Sequence, residues 1–383
     1  MTDFPLLVFS DDWGRHPSSC QHLVGRLLPS HPVTWVNTIG TRKPRLDLGT
    51  LRRAIGKLGQ WLRPAKAADA APANPTVLNP MMWPWFGSSF SRALNRRLLR
   101  RALLPAIRAM PSPPVAVTTI PLVADLVGEL PVRRWVYYWV DDFTQWPGYD
   151  GESLRRLEAD LVRKADVLVA VSEALRWRAA EAGRGCGLLT HGIDLEFWSG
   201  DGRTEGCPEL EGIAGPITLF WGLIDRRMDI AFLRALAEHP ARRGTIVLAG
   251  PEDGPDPALA RIPGVARTGP LPFDRLPRLA SEASVLVMPY GDMPATRAMQ
   301  PLKLKEYLAT GKPVVVRDLP ATREWADAMD LASDPATFAE VVLRRMAEGL
   351  PPDQAVARER LRDEGWNGKA ERFRRFLAGE ESP

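Results

Sequence analysis

The sequence is poor in the features that mark disulfide-stabilised and membrane-spanning proteins. Its 383 residues include only three cysteines, Cys20, Cys186 and Cys207, with no C-x-x-C pair. This spacing indicates reduced thiols rather than a disulfide scaffold. No apolar run is long enough to cross a bilayer, and the opening MTDFPLLVFSDDWG has no basic segment of the kind that starts a signal peptide. We therefore expect a cytoplasmic protein.

A dinucleotide-binding fingerprint is also missing. The first predicted strand, residues 6–9, is followed by SDDWGRHPSS rather than by G-x-G-x-x-G. The glycines of residues 183–187, GRGCG, do not complete the fingerprint and precede a predicted strand instead of a helix. These two observations exclude an NAD-type Rossmann site.

The charges are distributed unevenly along the chain. Up to Met110 there are 16 Lys and Arg against 5 Asp and Glu, whereas the remainder has 34 against 41. The basic excess lies in residues 42–66 and 92–108, where the second segment interleaves arginines with leucines beside the sequence MMWPWF at 81–86. This combination is typical of a helix on an anionic membrane surface; a core-packed helix with its arginines in water is the alternative. No nucleic-acid-binding module is recognisable, so no nucleic-acid partner is expected.

Predicted strands and helices alternate along the chain. Short buried runs predict strands at residues 6–9, 33–37, 115–118, 135–140, 167–171, 187–190, 217–221, 245–249, 285–288 and 313–316. Helical spacing between them, for example at 152–164 and 173–182, favours an α/β fold of doubly wound parallel sheets. A polar, Gly-rich stretch at 199–215 separates two such domains, and the Ala/Pro-rich residues 64–75 are predicted to be a connector.

The most specific pattern is QPLKLKEYLATGKPVVV at residues 300–316. A helix starting at Pro301, whose missing N–H costs nothing there, would place Lys303, Glu306 and Tyr307 on one face. Gly311 would end this helix before a strand. A cation in the first turn after a strand, with a carboxylate one turn later, can hold a phosphate and then a sugar hydroxyl. The pattern therefore predicts a nucleotide site.

This run resembles the nucleotide-sugar signature of GT-B glycosyltransferases, specifically the group 1 or family 4 enzymes with their P-x-K-x-x-E-Y-x-A-x-G-x-P-V-V pattern. VSE at 171–173 and HGID at 191–194 are similar to further turns of that family. The resemblance implies two Rossmann-like doubly wound domains facing a cleft, at residues 1–200 and 216–360. It also implies that residues 361–383 form a helix that crosses back to the first domain.

The resemblance implies roles for the donor-side residues. Glu306 would bind the ribose hydroxyls and Lys303 would approach the pyrophosphate of a nucleotide sugar. Gly222 would let the backbone approach the diphosphate, and Arg226 or Arg227 would neutralise it; the sequence does not say which arginine points inward.

The resemblance also implies which residues lie near the donor sugar and the acceptor. Arg297 would lie near the sugar and phosphates. Trp13, Arg15 and His16 become acceptor-side candidates in the loop after the first strand, for which a plain strand-to-helix loop is the alternative. Ala298 stands where family 4 enzymes usually have a second glutamate, eight positions before the first, so the stereochemical outcome is left open.

Two acids, Asp141 and Asp142, follow the predicted strand at 135–140, where doubly wound sheets bind their ligands. A positioned carboxylate can remove the proton from an attacking hydroxyl. Asp141 is the candidate base, because a similar strand ends in His-Asp in many family 4 sequences; Asp142 would orient it or cap the next segment. Paired acids can also bind a divalent ion, but the resemblance implies metal-free catalysis without a cofactor.

Together these observations predict a hexosyltransferase that moves a sugar from a UDP- or GDP-linked donor to a hydroxyl of a glycan or lipid-linked acceptor. We expect it to act in surface polysaccharide or glycolipid biosynthesis, with peripheral contact at the inner face of the cell membrane. The alternatives are a nucleotide-sugar epimerase or hydrolase of the same fold and a non-catalytic binding module, which would explain Ala298.

Overall fold

The computed structural model describes residues 4–15, 17–38, 74–146, 148–199 and 207–382. His16, the basic segment 42–66 and residues 64–73 of the predicted connector lie outside this description, as do residues 200–206 of the predicted linker. The chain divides into two compact units. An N-terminal unit combines Met1–His191 with Asn367–Pro383, and a C-terminal unit comprises Gly192–Trp366.

A parallel sheet of seven strands forms the centre of the N-terminal unit. The strands are β1 (Leu6–Ser10), β2 (Val33–Asn37), β3 (Thr76–Leu78), β4 (Val115–Thr118), β5 (Arg134–Trp139), β6 (Val167–Ala170) and β7 (Gly187–Leu188). Their order is β3-β2-β1-β4-β5-β6-β7, and every neighbouring pair is parallel. β1, β4 and β6 are buried at every residue, which is typical of a parallel sheet covered on both faces.

Among the described residues of this unit, four helices connect the strands. They are α1 (Ser19–Leu27), α2 (Ser89–Arg108), α3 (Gly151–Lys164) and α4 (Glu173–Glu181). The serines that precede α1, α2 and α4 accept a hydrogen bond from a backbone N–H three residues later. Because these N–H groups have no partner inside the helix, the serine caps fix where each helix begins.

The C-terminal unit repeats this plan. Its strands are β8 (Ile217–Trp221), β9 (Ile224–Asp225), β10 (Thr245–Ala249), β11 (Glu252–Asp253), β12 (Val265–Gly269), β13 (Val285–Met288), β14 (Val314–Arg317) and β15 (Asp330–Ala332). Six of them form a sheet in the order β12-β10-β8-β13-β14-β15, and β9 pairs with β11 separately. The two parallel sheets are those predicted from the alternating pattern.

The part of this unit that the structure describes contains seven helices. They are α5 (Leu195–Ser199), α6 (Ile230–Ala237), α7 (Leu276–Ser281), α8 (Pro294–Ala298), α9 (Leu302–Ala309), α10 (Pro335–Glu348) and α11 (Pro352–Ala357). α9 is the helix predicted in the QPLKLKEYLATGKPVVV run. Pro301 precedes its first residue, and Gly311, with φ +72°, follows its end. The predicted helix is therefore confirmed, with a first residue one position later than expected.

The last helix, α12 (Trp366–Ala378), packs on the N-terminal unit. The ring of Phe373 lies 5.1 Å from that of Tyr138 on β5, measured between centroids. A side chain at Gly187 would lie 2.5 Å from the ring of Phe376, so the glycine makes room for that ring. The predicted return of the C-terminal helix to the first domain is confirmed.

Candidate functional site

The strand order of the C-terminal sheet creates a switch point between β8 and β13. From β8 the chain continues outward through β10 to β12, and it then returns to β13 on the other side of β8. Loops that leave neighbouring strands in opposite directions open a crevice at the carboxyl ends of those strands, where doubly wound sheets bind ligands. A ligand site is therefore expected among the residues that follow β8 and β13.

Two glycines bring the backbone close together at this edge. Gly222, directly after β8, donates its N–H to the carbonyl oxygen of Ala249 over 2.8 Å. Gly250, directly after β10, has φ +145°, and a Cβ atom there would lie 2.0 Å from the carbonyl oxygen of Gly222. Only glycine permits this approach. The result is a bare backbone edge without side chains.

The amine of Lys303 lies against this edge. A Cβ atom on Gly222, whose φ is +132°, would be 2.2 Å from Lys303 Nζ. The amine donates a hydrogen bond to the hydroxyl of Tyr290 over 2.6 Å and lies 4.2 Å from the ring centroid of Phe220. No carboxylate of the described residues forms an ion pair with it. The amine adds positive charge beside the N-terminus of α9, which already favours anions, so the site is suited to a phosphate.

Glu306 lies one turn further along α9 and is buried. Its Oε2 accepts a hydrogen bond from the indole Nε1 of Trp221 over 3.4 Å. Burial raises the pKa of the Glu306 carboxyl to about 7, while the Trp221 indole and the nearby Lys303 lower it. A carboxyl in this environment is a strong acceptor for a ligand hydroxyl, because few water molecules compete for it.

Trp221 is held on two sides, which fixes the end of β8. The Tyr307 hydroxyl accepts a hydrogen bond from the Trp221 N–H over 3.0 Å and donates one to the Trp221 carbonyl over 3.2 Å. The ring of Trp198 stacks on the Trp221 indole with centroids 5.3 Å apart and an interplanar angle of 9°. Trp198 and Trp221 were not predicted as site residues, although the Phe-Trp-Gly at the end of β8 was a usable signal.

The two candidate arginines after β8 have different environments. Arg227 is buried, binds the carboxylate of Asp225 through Nε and Nη2 at 3.0 and 2.9 Å, and lies 5.4 Å from the ring centroid of Tyr290. Arg226 is exposed. Arg227 is therefore the arginine that points inward, next to the tyrosine that binds Lys303.

The remaining donor-side candidates lie on α8. Arg297 is exposed, and its Nη2 donates to Asp292 Oδ2 over 2.7 Å. Ala298, the last residue of α8, is partly buried. Of the predicted donor-side residues, Gly222, Lys303 and Glu306 lie together. The side chain of Arg297 donates hydrogen bonds to Asp292, so its predicted role near the sugar and phosphates stays a prediction.

At the end of β5 the two acids make different contacts. Asp142 is buried; its Oδ1 accepts the Thr144 N–H over 3.1 Å, and its Oδ2 lies 2.8 Å from Nη1 of Arg178. Asp141 is partly buried, and its Oδ1 accepts a hydrogen bond from the backbone N–H of Asp142 over 2.8 Å. Asp142 thus caps the short 3-10 turn Phe143–Gln145, which is one of the two roles predicted for it.

Arg178 joins Asp142 to an acid that the sequence analysis missed. Glu158, on α3 and 2% exposed, binds Nη2 of Arg178 at 2.5 Å. Burial raises the pKa of Glu158 above its usual range, and the Arg178 guanidinium opposes this shift. The guanidinium also lies 4.9 Å from the ring centroid of Trp139 on β5. This network, with two buried acids and a partly buried arginine, lies at the carboxyl end of β5, next to Asp141.

The loop after β1 carries the acceptor-side candidates. The backbone N–H of Trp13 donates to Asn37 Oδ1 over 3.0 Å, and its ring lies edge-on to Trp35 with centroids 4.7 Å apart. Arg15 is exposed, and His16 lies outside the described residues. Within the described ranges, no three His, Cys, Asp or Glu residues are grouped as metal ligands would be. The helices of those ranges include none with an apolar stretch of the length needed to span a bilayer.

Residues 215–348 match the family model described as glycosyl transferases group 1. A putative teichuronic acid biosynthesis glycosyltransferase, TuaH of Bacillus subtilis, is 29% identical over 177 residues, which is 44% of this chain and 44% of that protein. The chain therefore aligns with less than half of the length of this curated relative.

Solved structures match over almost the whole chain. Anabaena HepE in complex with UDP gives a TM-score of 0.64 at 13% identity, covering 98% of this chain and 100% of that one. Sucrose-phosphate synthase from Thermosynechococcus elongatus gives 0.71 at 15% identity, covering 98% and 99%. The chain has the GT-B fold, and the resemblance seen in the sequence is confirmed.

The pKa of Glu306 leads to a pH-dependent prediction. The raised pKa means that the Glu306 carboxyl binds its proton more strongly in the folded state than in the unfolded chain. Ionisation of Glu306 should therefore lower the free energy of unfolding as the pH rises from about 4.5 to about 7. Glu306→Gln removes this charge, so its stability relative to the native chain should improve by about 3 kcal/mol between about pH 5 and about pH 8. Urea unfolding at the two pH values measures this difference.

Glu340→Gln is the matched control, since Glu340 is an exposed glutamate on α10 of the same unit. Its effect on stability should be within about 0.5 kcal/mol at both pH values. An equal pH response in the two variants would show that Glu306 is not the group responsible.

Proposed function

We propose that this protein is a glycosyltransferase that moves a sugar from a UDP- or GDP-linked donor to a hydroxyl of a glycan or lipid-linked acceptor. The observation that carries the proposal is the amine of Lys303 held against the bare backbone at Gly222, with a buried carboxyl one turn away. A nucleoside diphosphate has the matching chemistry, because it combines a diphosphate anion with ribose hydroxyls.

In this proposal each donor-side residue has one task. Lys303 binds the diphosphate directly. Arg227, whose charge is balanced by Asp225, packs on the ring of Tyr290, whose hydroxyl accepts the hydrogen bond from Lys303. Glu306 accepts hydrogen bonds from the ribose hydroxyls. The ammonium group of Lys303 stabilises the negative charge that develops on the diphosphate as it leaves. The complexes of HepE with UDP and with UDP-glucose support this type of donor.

Asp141 is the proposed general base. The acceptor hydroxyl loses its proton to the carboxylate while its oxygen bonds to the anomeric carbon of the sugar, and the bond from that carbon to the diphosphate oxygen breaks. The nucleoside diphosphate departs with the bonding electrons. Asp142 is given a structural role instead, because its carboxylate caps the turn Phe143–Gln145 and pairs with Arg178.

The proposed acceptor belongs to surface polysaccharide or glycolipid biosynthesis, and the similarity to TuaH supports this class. Catalysis without a metal and a cytoplasmic location stay predictions. A non-catalytic binding module is the second candidate, favoured by Ala298 in place of the usual glutamate. Slow release of free nucleoside diphosphate from a donor sugar separates the two, because a binding module releases none.

The donor assignment predicts the effect of two alanine substitutions. Lys303→Ala and Glu306→Ala should each weaken the binding of UDP or GDP by about 1.5–3 kcal/mol, the range for charge-assisted hydrogen bonds. Calorimetry measures the change. Lys312→Ala, three residues beyond the last residue of α9, is the control and should leave the affinity unchanged. Unaltered binding in both site variants would refute the assignment.

A glycine substitution tests the same site from the backbone side. Gly222→Ala places a methyl group where Lys303 Nζ lies, so nucleoside diphosphate affinity should fall about tenfold or more. Gly349→Ala controls for backbone strain, because Gly349 also has positive φ, +77°, but has no atom within 4 Å of an added Cβ. It should lower stability without changing the affinity measured by calorimetry.

The assignment of the base predicts a loss of rate without a loss of binding. Asp141→Asn keeps the shape but cannot take a proton, so turnover should fall about 10²–10⁴-fold with donor affinity little changed. Asp142→Asn should mainly lower stability, because it weakens the pair with Arg178. If the Asp142→Asn variant is inactive and the Asp141→Asn variant is active, Asp142 and not Asp141 is the general base. Inhibition of the native protein by a chelator would separately refute metal-free catalysis.

A further inference from the structure

Exposed apolar side chains concentrate in one segment of the N-terminal unit. Met81, Trp83, Trp85 and Phe90 are 56%, 42%, 49% and 72% exposed, and they account for four of the six large hydrophobic side chains exposed among the described residues. We call residues 81–86 the aromatic loop; Phe90 follows it in the first turn of α2. Such a cluster marks an interaction surface, because single exposed hydrophobic residues are normally scattered.

The aromatic loop is held firmly in this outward arrangement. Asn95, 3% exposed on α2, accepts the Trp83 N–H over 2.6 Å and donates to the carbonyls of Trp83 and Trp85 over 3.0 and 3.3 Å. Met82 points the other way, into the core. The two indoles lie 4.9 Å apart, measured between centroids. A buried amide and a buried methionine thus fix the backbone while both tryptophans face outward.

A line of arginines continues this surface along α2. Arg97, Arg101 and Arg108 lie 7, 11 and 18 residues after Phe90, close to two, three and five turns of an α-helix. These spacings put them on the same side of the helix as Phe90, and all three are exposed. We call them the arginine stripe. No carboxylate of the described residues forms an ion pair with them.

The other arginines of α2 are already paired. Arg96 and Arg100 lie 3.6 and 3.8 Å from the carboxylate of Glu129. Arg92 lies 2.6 Å from Asp125 and 2.6 Å from Asp160. Among the described residues, acidic side chains therefore face Arg92, Arg96 and Arg100, and none pairs with the arginines beside the exposed aromatic residues.

We propose that the aromatic loop and the arginine stripe dock on an anionic lipid bilayer. Tryptophan is enriched at the bilayer interface, since its ring is apolar and its indole N–H can still reach water or a headgroup. Arginines on the same face attract phosphate headgroups. An excess of basic over acidic residues up to Met110, 16 against 5, matches a surface of negative charge.

The docking surface is connected to the acceptor-side loop. Asn79, just before the aromatic loop, accepts a hydrogen bond from Asn37 Nδ2 over 2.8 Å, and Asn37 Oδ1 accepts the Trp13 N–H over 3.0 Å. Both loops leave the same edge of the N-terminal sheet. If the proposed function holds, on which this step rests, the acceptor hydroxyl is carried by a lipid anchored in the docked bilayer.

Vesicle sedimentation tests the docking surface. The full chain should sediment with vesicles that contain phosphatidylglycerol and not with phosphatidylcholine alone, and binding should weaken as salt shortens the Debye length below about 10 Å. Trp83→Ser with Trp85→Ser, and separately Arg97→Gln with Arg101→Gln, should each reduce binding about tenfold or more.

The chain provides a matched control for each variant. Arg96→Gln with Arg100→Gln removes the same charge from the face paired with Glu129, and Trp177→Ser removes a tryptophan that is 69% exposed on α4. Both controls should bind vesicles within about twofold of the native chain. If the control variants lose as much vesicle binding as the test variants, the proposal is overturned, because binding would then depend on net charge or apolar content alone.

Other outcomes also overturn the proposal. Equal sedimentation with both vesicle types, or with neither, contradicts anionic-lipid docking. Self-association that Trp83→Ser with Trp85→Ser abolishes, without vesicle binding by the native chain, would assign the surface to a second copy. UDP calorimetry on the same samples separates the two proposals: UDP binding without vesicle binding refutes only the docking, and vesicle binding without UDP binding refutes only the donor assignment.

Discussion

The arrangement of the candidate site depends on the absence of two side chains, at Gly222 and Gly250. Because neither carries a Cβ, the ends of β8 and β10 approach each other, and the amine of Lys303 reaches the backbone at Gly222, directly after β8. The rest of the site holds this contact in place. Tyr290 and Phe220 contact the amine, and the backbone of Trp221 is fixed by two hydrogen bonds with the Tyr307 hydroxyl, which accepts one and donates the other. An anion that binds there meets a site whose positions are already set, which lowers the reorganisation needed on binding.

Much of the fold could be predicted from the sequence, because its central strands are continuous apolar runs. β1, β4, β6 and β13 are buried at every residue, and such runs leave a clear signal. The strands that were not predicted, among them β3, β12 and β15, lie at the edges of the two sheets or pair through few residues. β12, with the sequence VARTG, is only partly buried and contains polar residues, so neither alternation nor an apolar run reveals it.

The site was predictable to the extent that its residues are close in sequence. Lys303 and Glu306 share one helix, so helical spacing alone placed them together. The network of Glu158, Arg178 and Asp142 could not be found in this way, because its members come from α3, α4 and the end of β5. Only the parallel arrangement of β5 and β6 brings them into contact. Likewise, the separation of the α2 arginines into paired and unpaired sets depends on Glu129, which is distant in sequence from the helix.

One buried side chain has a consequence for kinetics. Asn95 binds the backbone of the aromatic loop at three points, so the conformational entropy of this loop is lost when the protein folds and not when it meets another surface. A loop ordered in advance needs no rearrangement on contact, and each encounter in the right orientation can be productive. The time that the molecule stays on a surface would then be set by the two indoles and the free guanidinium groups. Changes in surface charge could release it without unfolding any part of the chain.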